Sequence, residues 1–134
     1  MDCSVAAKWV LHEADHVQAL HLLQEEKSGK VILIAPDLLL VEFASLIAKR
    51  VRRKQISAAE ADHSFRLMEE SAPALFETRP LVSAALDLAL RHQMSLWDCV
   101  YLALAIEHGC PLLTADRRLF RGGHGPHPSL RLLS

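Results

Sequence analysis

The sequence predicts a single α/β domain built on a parallel sheet, and three observations carry that prediction. Val31-Ile-Leu-Ile-Ala35 is an unbroken apolar run, as expected of an interior parallel strand. Pro36-Asp37 and a long stretch of helical spacing follow it, which gives the strand-then-helix order of a parallel fold. Ser95 to Asp116 then provides a cap, an apolar helix, a Gly stop, the short strand Pro111-Leu-Leu-Thr114 and a carboxylate just past the strand end. A chain of 134 residues, 51% of them hydrophobic, suits one core and one domain spanning residues 1–134.

Bulk properties exclude several classes. A net charge of −1 provides no global basic field, so any polyanion must be met by a local patch. The most apolar region, Val31 to Ala48, contains Pro36, Asp37 and Glu42 and is no membrane span. Asp2 and Lys8 interrupt any signal-like stretch at the start. Three cysteines without framework spacing fit reduced thiols in the cytoplasm, with Cys3 and Cys99 read as small buried hydrophobes.

In chain order, Val5 to Leu11 is a short apolar helix that Asp2 or Ser4 could cap. His12-Glu-Ala-Asp-His16 matches the H-E-x-x-H pattern of zinc hydrolases, which works only on a continuous helix. Asp15 is a natural cap for a new helix running from His16 through Val17, Ala19, Leu20, Leu22 and Leu23 to Ser28-Gly29. The match therefore straddles a break, and no third ligand follows at a suitable distance. After the Val31–Ala35 strand, Asp37 caps a helix from Leu38 to about Lys54 with Leu39, Phe43, Leu46 and Ile47 on its apolar face. Lys49, Arg50, Arg52, Arg53 and Lys54 crowd its end, where cations complement the helix dipole. Glu42, Ser45 or Leu46, Lys49 and Arg53 also share roughly one face, a basic stripe suited to a phosphate backbone.

Ser57-Ala-Ala-Glu60 is a capping box that opens a helix to about Ala72, completing a helical hairpin that could serve as a partner surface. Leu75-Phe76-Glu77 reads as a short strand and Leu81 to His92 as a helix. In the next helix Val100, Leu102, Ala103, Leu104, Ala105 and Ile106 leave almost no polar face, so it should be buried. Arg117-Arg-Leu-Phe120 is a helical turn, residues 122–128 are a loop over the crevice, and Leu130 to Leu133 is a last strand.

The carboxylates carry the functional reading. Asp98 could complete a Ser95-x-x-Asp98 capping box, Asp116 could cap the Arg117 turn, and Asp2 could cap the first helix. Glu42 has no such explanation, and an unpaired carboxylate among aliphatics is costly. Taken together, Glu42, Asp98 and Asp116 fall beside strand ends or helix starts, which share one edge in a parallel sheet. Gathered carboxylates repel, and a hard divalent ion relieves the repulsion. Such a site suits metal-assisted hydrolysis of a phosphodiester, with the Thr114 hydroxyl orienting a water or a carboxylate.

Asp2-Cys-Ser4-Val, Glu42 early in a long helix, Trp97-Asp98-Cys-Val-Tyr-Leu-Ala-Leu-Ala105 and Leu113-Thr-Ala-Asp116 resemble the PIN domain. More narrowly they resemble the VapC-like toxins of bacterial and archaeal toxin–antitoxin pairs. The resemblance covers essentially the whole chain. It implies a three-layer sandwich with a parallel sheet of four to five short strands and helices on both faces. It implies an endoribonuclease dependent on Mg²⁺ or Mn²⁺, whose catalytic and metal-binding acids fall on Asp2, Glu42, Asp98 and Asp116, with Ser4 and Thr114 in support. Lys49, Arg53 and Arg117 are the candidate RNA contacts. A homodimer, and a small antitoxin protein gripping the helical hairpin, are implied as well.

One departure stands out. Family members carry an apolar strand before the first Asp, and here only Met1 precedes Asp2, so the first strand is expected missing or stunted and Asp2 loosely held. An alternative reading follows: a PIN-like domain that binds RNA or an antitoxin without cutting. A phospho-acceptor receiver also gathers acids and a Thr at strand ends. Receivers, however, alternate strand and helix regularly, whereas here two helices follow Val31–Ala35 in succession and the expected strand-end Lys is absent.

Overall fold

The computed structural model describes residues 1–11, 13–123 and 130–134. Its elements are α1 (Cys3–Val10), α2 (His16–Lys27), β1 (Ile34–Pro36), α3 (Leu38–Arg52), α4 (Ala58–Ser71) and β2 (Ala74–Phe76). A 3-10 turn (Arg79–Leu81) leads into α5 (Val82–His92), α6 (Leu96–Glu107), β3 (Leu112–Thr114), α7 (Arg117–Gly123) and β4 (Leu130–Leu132). The fold is thus α/β and dominated by helices, with short parallel strands. No described helix is long and apolar enough to cross a membrane.

Among the described residues the strands pair as two parallel ladders, β1 with β2 and β3 with β4. The start of the chain joins them. The Met1 amine donates to the Ile34 carbonyl at 2.8 Å, and the Asp2 N–H donates to the Leu113 carbonyl at 3.0 Å. No strand precedes α1 among the described residues, and residues 1 and 2 make this connection without ladder geometry.

The Val31–Ala35 run differs from the interior strand that its composition predicts. Only Ile34 and Ala35 of the run enter β1, and Ile32 is 84% exposed. The hydrogen bonds explain the early stop. The Leu33 carbonyl accepts the Ala74 N–H at 3.0 Å, but the Leu33 N–H turns to the Glu26 side chain at 3.3 Å, so the next rung back is not made.

The core forms around α6, where Cys99 to Ala105 are all buried. Val5 and Ala6 of α1, Leu39 and Phe43 of α3, Met68 of α4 and Leu112 of β3 complete it. The all-round apolar composition of α6 predicts this position. The exception is Ile106, which is half exposed near the helix end.

Caps decide how these elements meet. The Ser57–Glu60 box is formed in both directions, at 3.1 and 2.7 Å. Asp15 and Asp37 do not cap through their side chains. Asp15 instead takes a left-handed conformation, with φ at 64°, between α1 and α2. Asp37 accepts the Thr78 N–H and hydroxyl, and the Thr78 oxygen in turn accepts the first N–H of α3, at Leu38. A side chain distant in sequence thus takes the N-terminal role that local spacing assigns to Asp37. It also ties α3 to the segment after β2.

Candidate active site

Asp2 is the N-cap of α1. Its Oδ1 accepts the Ser4 N–H at 3.0 Å, the Val5 N–H at 3.3 Å and the Ser4 hydroxyl at 2.6 Å. The side chain is buried, at 6% exposure, so the expectation of a loosely held first acid is corrected. Two bridging backbone bonds and a full cap fix it in place. Burial pushes its carboxyl above the usual range, against the pull of the Ser4 and Thr114 hydroxyls.

Ser4 and Thr114 join the start of α1 to the end of β3. The Ser4 oxygen accepts the Ala115 N–H at 2.8 Å and lies 3.3 Å from the Thr114 hydroxyl. Thr114 is wholly buried, and its oxygen accepts the Asp116 N–H at 3.0 Å. The two hydroxyls therefore reach both Asp2 and the backbone that carries Asp116. Asp116 itself caps α7 by accepting the Arg118 and Leu119 N–H groups at 2.7 and 3.3 Å.

Asp98 is the acid whose local explanation fails. Ser95 precedes α6 without a side-chain cap bond, so the predicted Ser95–Asp98 box is not formed. Among the described residues no hydrogen bond or ion pair holds the Asp98 carboxylate. Burial, then the charges of Asp2 and Asp116, push its carboxyl from 3.8 up to about 6. Asp98 and Asp116 line one cleft of about 500 Å³ with Ser95, His92 and Arg118.

Glu42 is half-buried, one turn into α3. Its Oε2 accepts the Tyr101 hydroxyl at 2.9 Å. Burial raises its carboxyl, the Tyr101 bond lowers it, and the charges of Asp2 and Asp98 raise it again. Tyr101 is the partner that sequence reasoning missed. It was discoverable as the one tyrosine of the chain, three residues after Asp98 and so on the same helix face. Burial and the neighbouring Glu42 charge keep its phenol protonated and hence a donor.

The electrostatics therefore couple Asp2, Glu42, Asp98 and Asp116, each to at least one of the others. Among the described residues no three His, Cys, Asp or Glu side chains form a ready-made metal cage. The donor set still fits a hard divalent ion, since Mg²⁺ characteristically takes only one or two carboxylates and completes its shell with water and phosphate.

Other sequence candidates fall outside this cluster. Lys49, Arg53 and Arg117 are exposed, and Arg53 ends α3 as its C-cap. Arg50 leaves the basic run to pair with Glu13, which Lys8 also approaches. In the H-E-x-x-H match, α1 ends at Val10 and α2 begins at His16, as the predicted break requires. His12 lies outside the described residues, as do positions 124–128 of the loop proposed to cover the crevice.

Comparison with known proteins agrees with this arrangement. The sequence model for the PIN domain matches residues 1–124. The chain is 34% identical over 116 residues to Ribonuclease VapC3 of Pyrobaculum aerophilum, a match covering 80% of this chain and 88% of that relative. With the matched span running from Asp2 through Asp116, the chain belongs to the PIN domain family and is VapC-like within it.

Proposed function

We propose that this chain is a metal-dependent endoribonuclease, the toxin of a toxin–antitoxin pair, which hydrolyses RNA phosphodiesters by attack of an activated water. The observation that carries the reading is Asp98. Its carboxylate lacks a partner among the described residues and is raised to about 6 by burial and by two acids, one of them deeply buried. Folding has no use for such repulsion; a cation does. The relative named a ribonuclease supports the substrate class.

Asp2, Glu42, Asp98 and Asp116 would hold Mg²⁺ or Mn²⁺. When bound there, the ion would acidify water and neutralise charge on the phosphodiester. Ser4 and Thr114 orient Asp2 and the backbone of Asp116, while Tyr101 fixes the Glu42 oxygen and opposes the upward push of burial on that carboxyl. Lys49, Arg53 and Arg117, all exposed, would meet phosphates on either side of the cut. A non-cleaving reading requires a poorly held first acid, and the buried, fully capped Asp2 gives it no support.

The two parallel ladders, bridged by residues 1 and 2, are read as halves of one three-layer sandwich with helices on both faces. The antitoxin is assigned to the α3–α4 hairpin, where a cavity of about 290 Å³ lies between Ala44, Ile47, Ala61 and Phe65. A homodimer and a cytoplasmic location, consistent with the free thiols of Cys3, Cys99 and Cys110, complete the proposal.

The test is RNA cleavage with and without Mg²⁺ or Mn²⁺, in the wild type and in Asp98→Asn and Asp116→Asn. Each variant should retain its circular dichroism and lose cleavage. Cleavage that persists in both folded variants, or that proceeds unchanged in EDTA, overturns the assignment.

A further inference from the structure

The chain uses its two tryptophans in opposite ways. Trp9 is buried in α1, and its indole N–H donates to the Ala19 carbonyl at 2.9 Å, as expected of a core indole. Trp97, in the first turn of α6, is 59% exposed, and its indole N–H has no partner among the described residues. Neither packing nor hydrogen bonding accounts for a large aromatic at that position.

Trp97 is also not isolated. It forms one wall of a recess of about 330 Å³ whose other walls are Leu38, Val41, Glu42 and Ser45 of α3. Val41 is itself 66% exposed, so the floor is apolar and open to solvent. Glu42 belongs to this recess and to the acid cluster, and Trp97 is joined through the backbone to Asp98. The recess therefore opens directly beside the reacting centre. From it the exposed face of α3 continues through Ser45 to Lys49 and Arg53.

We propose that Trp97 is a stacking platform for a nucleobase next to the scissile phosphate, which makes it a positioning residue for single-stranded RNA. The inference rests on the ribonuclease reading and deepens it. A flat apolar recess with one aromatic wall matches the face of an unpaired base. The phosphate next to that base then lies toward the carboxylates, and the following phosphates run toward Lys49 and Arg53. Ser45 adds a hydroxyl at the rim for a base edge. A protein side chain fits less well, because it would cover Glu42 without bringing the phosphate and cation that the acids require. Stacking tolerates any base, so Trp97 sets strand state and register rather than sequence.

The experiment compares wild type, Trp97→Ala and Trp97→Phe in two assays. Binding of a short single-stranded RNA, and of an abasic strand of equal length and charge, is followed in EDTA by tryptophan quenching and by anisotropy of a labelled strand. Trp97→Ala should bind the base-bearing strand about tenfold more weakly and the abasic strand as wild type does, with Trp97→Phe recovering most of the difference. In cleavage with Mg²⁺ the alanine variant should show a raised KM, with kcat changed much less. Unchanged affinity and KM in a wild type that does cleave would overturn the stacking role alone. Equal losses on both strands would overturn it too, since that pattern reports charge or folding. If Trp97→Ala leaves RNA binding intact but weakens binding of the cognate antitoxin, the recess belongs to a protein partner and the proposal fails. A wild type that neither binds nor cleaves RNA removes the underlying reading instead.

Discussion

Replacing Asp98 with Asn should stabilise the metal-free protein while abolishing its activity. The folded carboxyl keeps its proton up to about pH 6, whereas 3.8 is the ordinary value that applies to the unfolded chain. Between those values the folded state binds more protons than the unfolded one, so stability falls as pH rises through that window. Below about pH 4 the group costs nothing, and above about pH 6 the penalty is complete. A shift of that size corresponds to about 3 kcal/mol at full burial. Asp98 is only part-buried, so solvent screening reduces this to about 1–2 kcal/mol. Asn keeps the shape and removes the charge, which also relieves Glu42, itself raised by Asp98. For a chain of this length the gain should raise Tm by about 3–8 °C at pH 8 in EDTA and by almost nothing near pH 4. Saturating Mg²⁺ should stabilise the wild type by about 2–3 kcal/mol at a hundredfold excess over Kd, and the variant by much less. Thermal and urea melts of both proteins at the two pH values, with and without Mg²⁺, measure all of this. A variant no more stable than wild type at pH 8 without metal would refute the claim that Asp98 is held against repulsion.

Two further substitutions examine the neighbours of that carboxylate. Tyr101→Phe removes the hydrogen bond that the Tyr101 hydroxyl donates to Glu42, a bond that lowers the Glu42 carboxyl. Its acid should therefore titrate higher, and the acidic limb of the cleavage–pH profile should move to higher pH; an unmoved limb would show that Glu42 is not among the titrating groups. Thr114→Val keeps shape but strands the Asp116 N–H and removes a hydroxyl from Asp2, at a cost of about 1–3 kcal/mol in urea melts. Cleavage should fall in the valine variant and return in Thr114→Ser, and a valine variant with wild-type rate and stability would remove Thr114 from the site.

The helices were legible because each carries its own signal. Apolar composition all round α6 required burial, and Ser57 and Glu60 stood at the spacing of a capping box that does form. The acids were legible as a set, because strand ends and helix starts share an edge in a parallel fold. Other features depended on contacts distant in sequence. The Glu26 side chain takes the Leu33 N–H that would have lengthened the β1 ladder, and nothing within Val31–Ala35 reports that. Thr78 caps α3 from across the β1–β2 ladder, which no local spacing around Asp37 encodes. The firmness of Asp2 likewise came from Leu113, Ser4 and Thr114 rather than from a preceding strand.

Cap chemistry separates the four acids more sharply than burial does. Asp2 and Asp116 both spend an Oδ1 on helix N–H groups, so their positions have a structural reason and any metal role is added to it. Glu42 spends one oxygen on a neutral phenol, which orients the carboxylate without neutralising it. Asp98 spends nothing on its own helix, although Ser95 stands at the spacing for a box. A carboxylate that a helix start could have satisfied, and that instead faces two others from the first turn of a buried helix, is a cost to folding. The two capped acids fix the geometry, and the uncapped one supplies the unneutralised charge that draws a cation into it. Substitution of Asp2 should for that reason cost stability as well as activity, whereas substitution of Asp98 should separate the two.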